Sequence, residues 1–371
     1  MRVAIVLNTS WNIYNFRLNL IKRFLQKGYE VIAIAPRDRF SEKLEEIGCT
    51  YVPLAMDSRG INPVKDMALT AELISVYRKV KPDVVLHYTI KPNIYGTFAA
   101  SILGIPVVNN VCGLGTVFMK KNLLSFVARM MYKSTFWYPK KIFFQNDKDL
   151  ELFLDYKIIS KNSTDILPGS GIDLKRFFPS KGVPQDKTTF LLISRLIFDK
   201  GVSEYVEAAK KLKDEGLNVS FQILGSKDPD HIRGIPLETV DSWISDGIVE
   251  YLGTTDDVRP YIANADCVVL PSYREGTPRT LLEAASLAKP IVATDVPGCN
   301  SVVINGYNGL LCNVRDSADL SKKMKEFIDL SSEERSVMGH NGRKLVEDRF
   351  DENIVIDKYL SALDSIAHKS A

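Results

Sequence analysis

The strongest constraint on this chain is a rhythm of short, wholly apolar runs alternating with longer stretches of helical period. In the first half "VAIVL" is followed by the amphipathic "NFRLNLIKRFLQKG". Then come "VIAIA", "VKDMALTAELISVYRKV", "DVVLHY", "IYGTFAASILG", "IPVVN" and "KIFFQ". Strands without polar alternation are covered on both faces, and parallel neighbours need a crossover helix, so the pattern predicts a parallel sheet with helices on both sides. The rhythm restarts after residue 185 with "TFLLISR", "GVSEYVEAAKKLKDEG", "NVSFQILG", "DCVVLPS", "PRTLLEAASLA", "PIVATD" and a long helical tail. The expectation is α/β: two doubly wound, Rossmann-like domains, in keeping with 371 residues, more than one core usually organises.

Residues 168 to 185, "PGSGIDLKRFFPSKGVPQ", hold three prolines and three glycines and read as the linker. The domains are therefore expected at 1–180 and 181–371, with the last helix free to pack back on the first. Ligands of doubly wound sheets bind at the carboxyl ends of the strands, so the two domains are expected to face each other across a cleft.

With 45% apolar and 25% charged residues, disorder, collagen-like repeats and a disulfide scaffold are excluded. Cys49, Cys112, Cys267, Cys299 and Cys312 form no CxxC pair and are odd in number, which suits a reducing compartment and a reading as small apolar residues. The opening "MRVAIVLNTSWN" is too short in apolar residues for a signal peptide, and no later run approaches the roughly 20 needed to span a bilayer. The expectation is a cytosolic protein, or one attached to a membrane from outside.

The net charge of +3 hides an uneven split. Residues 1–180 carry 25 Lys and Arg against 15 Asp and Glu, and residues 181–371 carry 23 against 30. Between Val84 and Asn146 there are seven cations and no acid, which implies halves with different partners.

The segment "EGTPRTLLE" sets Glu275 and Glu283 eight positions apart around a helix start. Pro278 suits a first helical turn, and the amides near Arg279, Thr280 and Leu281 could cradle a phosphate. An ionised carboxylate is acceptor only and can take two O–H bonds, so one glutamate on each side of a diphosphate fits a nucleotide sugar. Solvated loop and helix charges would look the same by spacing alone. A second element, "ISRLIFDKGV", places Arg195 and Lys200 at the end of the second half's first strand, where two cations could clamp a diphosphate and stabilise a leaving group.

Together, "ISRLIFDKG", "LPSYREGTPRTLLEAASLAKPIVATDVPGCNSVVINGYNGLL" and "PGSGIDLKRF" resemble the retaining, nucleotide-sugar-dependent glycosyltransferases of family four, which have the GT-B fold. "SWNIYNFRLNLI", "HYTIKPNIYGTFAA" and "NNVCGLGTVF" are similar to a bacterial subgroup that extends glycans on undecaprenyl diphosphate, including the N-acetylgalactosaminyltransferase of N-glycan assembly and capsule and O-antigen transferases. The resemblance implies that Glu275 contacts the donor sugar, Glu283 the ribose, and Arg195 and Lys200 the phosphates. It places Gly276 and Thr277 in the donor-facing loop, followed by Pro278, Arg279 and Thr280. It lets Gly113 and Gly115 bring the first domain's backbone to the donor diphosphate, a stretch that also reads as a plain turn. The first domain would take the acceptor and the second the donor, probed as a UDP-sugar carrying a hexose or an N-acetylhexosamine. Such an enzyme works on the inner face of the cell membrane.

Two positions depart from the family pattern: "NTSWNIYN" replaces a glycine-rich loop after the first strand, and Cys112 stands where many relatives carry a histidine. No general base is assigned, and His87 reads as structural. The resemblance implies attack on the face from which the leaving group departs, its phosphate taking the proton, with Glu275 a positioner. No cofactor and no metal are expected. "DKD" at 147–149 and "DPD" at 228–230 match the metal-binding DxD of another glycosyltransferase fold but lack supporting ligands.

"MKKNLLSFVARMMYKSTFWYPKK", residues 119–141, carries six cations and no acid, with Leu123, Phe126, Val127, Met130, Ser134 and Trp137 on one helical face. Such a helix can lie among lipid headgroups, or pack on a core with a cationic edge. Arg17, Lys120, Lys121, Arg129 and Lys133 are the cations expected at the acceptor or membrane. Two other readings stand beside this one: a sugar-nucleotide epimerase or hydrolase on the same fold, and a non-enzymatic basic binder of membrane or nucleic acid, the latter without any nucleic-acid motif.

Overall fold

The computed structural model describes residues 1–57, 62–114, 123–180, 182–183 and 186–370. The chain forms two compact units, Met1–Ser170 with Asn353–Ala371, and Gly171–Glu352.

The first unit is built on seven strands: β1 (Arg2–Val6), β2 (Glu30–Ala35), β3 (Thr50–Pro53), β4 (Val84–Tyr88), β5 (Val107–Val111), β6 (Lys141–Phe144) and β7 (Thr164–Ile166). They lie in the order β3-β2-β1-β4-β5-β6-β7, every pair parallel. β4 and β5 are buried along their whole length, including the polar His87, Asn109 and Asn110. The order reverses between β1 and β4, the switch point where doubly wound sheets bind ligands.

The second unit repeats the plan with β8 (Thr188–Ile193), β9 (Val219–Leu224), β10 (Glu250–Tyr251), β11 (Cys267–Leu270), β12 (Ile291–Thr294) and β13 (Gly309–Cys312) in the order β10-β9-β8-β11-β12-β13. Its pairs are also parallel, and its switch point lies between β8 and β11. All five cysteines are free thiols, four of them buried.

The division between units differs from the expected 180/181. It falls at Ser170/Gly171, because Ile172 is tied by its amide to Phe350 O (2.8 Å) and Phe177 is buried in the second unit's core. The chain leaves that unit again after Glu352. The last helix, Glu352–Ser370, then buries Ile356, Tyr359, Leu360 and Leu363 in the core that holds β1 and β4 of the first unit. Lys358 Nζ anchors it to Asp165 Oδ1 (2.9 Å) and Ile166 O (2.7 Å).

His87, in β4, is fully buried between Tyr77 Oη (2.8 Å from Nε2) and Asn109 Oδ1 (3.0 Å from Nδ1). Burial pulls its pKa down to about 3, with the Asn109 bond opposing, so the ring is neutral at physiological pH and serves the core.

Candidate functional site

The second unit gathers most of the candidate residues at the carboxyl end of its sheet. After β8 the chain makes a short 3-10 turn, Phe198–Lys200, closed by Gly201 at φ +70°. A Cβ at Gly201 would sit 2.0 Å from Pro271 O, so only glycine lets this turn press on the end of β11. Tyr273 N donates to Asp199 O (2.9 Å) and locks the two loops together. That contact delivers Lys200 Nζ to Glu275 Oε1, which also accepts from Ser272 Oγ (2.6 Å).

The glutamate loop is braced from behind. Glu275 N donates to Pro297 O (3.2 Å), and Gly298, at φ +88°, lies so close that a Cβ would stand 2.5 Å from Gly276 O and 2.6 Å from Glu275 O. Gly298→Ala is therefore expected to push the loop away, lowering stability by about 1–3 kcal/mol and reducing turnover. Denaturant unfolding and steady-state kinetics would check this; wild-type behaviour in both would contradict it.

The helix after the loop spans Arg279–Ser286. It starts one residue later than Pro278, which is extended (φ −70°, ψ 116°) and serves as the cap residue, its carbonyl taking the first helical bonds from Leu281 and Leu282. Pro278 itself supplies no side-chain cap, and the positive end of the helix dipole with its first-turn amides favours an anion here. Thr280 Oγ1 ties it to the last residue of β8, Ile193 O (3.2 Å). Arg279 bridges Glu283 Oε1 (3.1 Å) and Gly171 O (2.7 Å).

Both carboxylates, expected open to ligand hydroxyls, are thus held in ion pairs: Glu275 by Lys200 and Glu283 by Arg279. The Glu283 side chain is 12% exposed. Burial raises its pKa, and Arg279 opposes the rise. Arg195 does not join Lys200. It is half exposed, with Nη1 3.8 Å from Asp228 Oδ2. The segment after β9 packs on the same loop, through Phe198 N to Arg233 O (2.8 Å) and Arg233 Nε to Asp199 Oδ1 (3.1 Å). Ser272 and Gly298 went unnoticed in the sequence. The Pro-Gly dipeptide at 297–298 was the signal for a tight turn there.

In the first unit, Gly113 follows β5 at φ +119°. Gly115, Lys120 and Lys121 lie outside the described residues. The helix Leu123–Thr135 buries Ser125 and Tyr132 but exposes Leu123, Phe126, Val127 and Met130, and Trp137 beyond its end is 73% exposed. Its apolar face is therefore not spent on the core. Arg129 stacks on Tyr156 (4.4 Å to the ring) and Lys133 is exposed. Arg17, one of the cations expected at the acceptor or membrane, is only 5% exposed, because it falls on the inward face of the helix Ser10–Gln26 with Ile13, Leu20, Ile21 and Phe24.

Asp149 of "DKD" is buried in a helix start, its amide bonded to the capping Asn146 Oδ1 (2.8 Å). Among the described residues no three His, Cys, Asp or Glu side chains group as a metal site, and no helix is long and apolar enough to cross a membrane.

Solved structures share this fold across the whole chain. Sucrose-phosphate synthase from Thermosynechococcus elongatus superposes with a TM-score of 0.83 at 18% identity, covering 100% of this chain and 99% of that one. HepE from Anabaena, solved with UDP-glucose, gives 0.79 at 17%, covering 98% and 100%. The fold is GT-B. The family model Glycosyl transferases group 1 matches residues 173–345, and Glycosyl transferase 4-like matches residues 2–146. Across 99% of each chain, the protein is 30% identical to the N,N'-diacetylbacillosaminyl-diphospho-undecaprenol alpha-1,3-N-acetylgalactosaminyltransferase of Campylobacter jejuni. It is 25% identical to the UDP-Gal:alpha-D-GlcNAc-diphosphoundecaprenol alpha-1,3-galactosyltransferase of Escherichia coli, covering 70% of this chain and 69% of that one. The chain belongs to the group 1, family-four-like glycosyltransferases.

Proposed function

We propose that this glycosyltransferase moves a hexose or N-acetylhexosamine from a UDP-sugar to a saccharide carried on undecaprenyl diphosphate, with retention at the anomeric carbon and without a metal ion. The acceptor class rests on the Campylobacter and Escherichia relatives, whose names specify diphospho-undecaprenol substrates. The observation that carries the reading is the cluster of Lys200 with Ser272 and Glu275 on the loop that leads into the helix Arg279–Ser286, with Glu283 on the same helix.

In this reading Glu283 accepts O–H bonds from the ribose and Glu275 from the donor sugar. The diphosphate lies on the helix terminus at Arg279 and Thr280, with Lys200 and Arg195 as counter-charges and the backbone of Gly276, Thr277 and Pro278 alongside. The acceptor oxygen bonds to the anomeric carbon as the bond from that carbon to the UDP oxygen breaks, and the acceptor's proton passes to the departing phosphate. Glu275 already receives Lys200 and Ser272 on one oxygen, an arrangement suited to holding a sugar rather than attacking one.

The exposed apolar face of the helix Leu123–Thr135, with Arg129 and Lys133 among it, fits an anionic lipid surface where such an acceptor is met, on the inner face of the cell membrane. The test is transfer in EDTA on vesicles containing anionic lipid and a lipid-linked saccharide, with the product linkage read by NMR. The expected result is full activity, vesicle binding and the donor's anomeric configuration. An inverted linkage, or activity restored only by a divalent ion, would contradict the mechanism; failure to bind the vesicles would contradict the membrane contact.

A further inference from the structure

The carboxyl end of β4 and β5 in the first unit holds a group of buried polar atoms that the fold itself leaves unsatisfied. Arg17 is 5% exposed and lies face-on over the Tyr88 ring at 4.5 Å. Its Nη1 donates to Phe16 O (2.8 Å), its Nε makes no hydrogen bond, and no carboxylate pairs with it among the described residues. Thr89 Oγ1 and Asn93 Oδ1 are likewise buried without a hydrogen bond among the described residues.

These residues share one neighbourhood. Arg17 lies over Tyr88, the residue before Thr89; Asn93 N donates to Thr89 O (3.1 Å) and Asn93 Nδ2 to Asn110 O (2.9 Å), and Asn110 Oδ1 is 3.4 Å from Cys112 Sγ. Thr89 also has φ +64°, and it is the one β-branched residue with positive φ among the described residues. Backbone strain at a β-branched residue and a buried cation with no counter-charge are both costly, and folds keep such features where a ligand uses them.

We infer that Arg17, Thr89 and Asn93 form the binding site for the glycosyl diphosphate end of the acceptor, Arg17 meeting a phosphate oxygen and Thr89 and Asn93 the hydroxyls of the first sugar. This rests on the lipid-linked acceptor proposed above. A UDP-sugar also presents a glycosyl diphosphate, but the second unit supplies its own cations and helix terminus for that one, which leaves the first unit's set to the acceptor. A neutral Thr and Asn beside a single cation suit a group that is charged at one end and hydroxylated at the other.

The experiment compares the full-length wild type with Arg17→Met and Thr89→Gly, varying donor and lipid acceptor separately and recording thermal melts. Both variants are expected to raise the acceptor KM about ten- to hundredfold while the donor KM moves by no more than about twofold. Arg17→Met is expected to melt no lower than wild type, since it removes an uncompensated buried charge, whereas a purely structural arginine would be missed. A normal acceptor KM, or equal rises in both KM values, would overturn the inference. If Arg17→Met does not fold, Thr89→Gly decides it by the same split. Should the wild type transfer no sugar to any lipid, the parent reading fails instead. Inorganic diphosphate added with saturating UDP then decides the site: stabilisation of the wild type but not of Thr89→Gly or Arg17→Met supports it, and no stabilisation of the wild type overturns it.

Discussion

Glu283→Gln is expected to lower kcat/KM for the nucleotide sugar about hundredfold or more, as the loss of hydrogen bonds to a charged acceptor predicts, while leaving the apo protein at least as stable near neutral pH. The stability half follows from burial. Burial raises the Glu283 carboxyl above its ordinary value of 4.5, and Arg279 offsets only part of the rise. A carboxyl raised in the folded state holds its proton more tightly there than in the unfolded chain. Its contribution to stability is full below 4.5 and is lost as pH rises through the raised value, so at pH 7 the ionised form is a cost that Gln removes. Melting temperatures should therefore be equal or higher for the variant at pH 7, and the difference should shrink below pH 4.5. A variant that melts markedly lower at pH 7 would mean that Glu283 is there for the Arg279 bridge and not for a ligand.

The second large effect is expected at Lys200. Lys200→Ala should reduce kcat about 10²- to 10³-fold, the usual loss when a donor aimed at developing charge is removed. It should also destabilise the apo protein, because Glu275, with its side chain 13% exposed, keeps Ser272 but loses its cation. The double variant Lys200→Ala/Glu275→Gln should recover stability without recovering turnover. Recovery of both would place Lys200 in the fold and not in the chemistry. Stopped-flow transfer and denaturant unfolding on the wild type, the single variant and the double variant separate the cases.

Much of this architecture was readable in advance because its cause is local. Buried parallel strands are unbroken apolar runs, and "VAIVL", "DVVLHY" and "TFLLISR" became β1, β4 and β8 within a residue or two. What escaped depends on contacts distant in sequence. The boundary slid from 180 to 170 because Ile172 pairs near Phe350 and Asp351, and no composition shift reports such a pairing. The Lys200–Glu275 contact exists because Gly201 lets one loop touch Pro271 across the sheet, 70 residues along the chain.

Arg17 is a different case, for its signal was present. Buried Ser10, Ile13, Leu20, Ile21 and Phe24 follow the helical period, and Arg17 falls in that series, four residues after Ile13 and three before Leu20. A cation on the apolar face of a helix deserves to be read as buried. Grouping it with the cations expected at the acceptor or membrane overlooked that this position is buried.

Donor consumption tests the central claim most directly: wild type and Glu283→Gln are each given a panel of UDP- and GDP-sugars, with and without undecaprenyl-diphosphate-linked saccharide. The account predicts one UDP-sugar consumed by the wild type only when lipid acceptor is present, with its sugar recovered on the lipid, and no comparable turnover by the variant. Equal turnover by the two proteins, or donor breakdown that ignores the lipid, would contradict it.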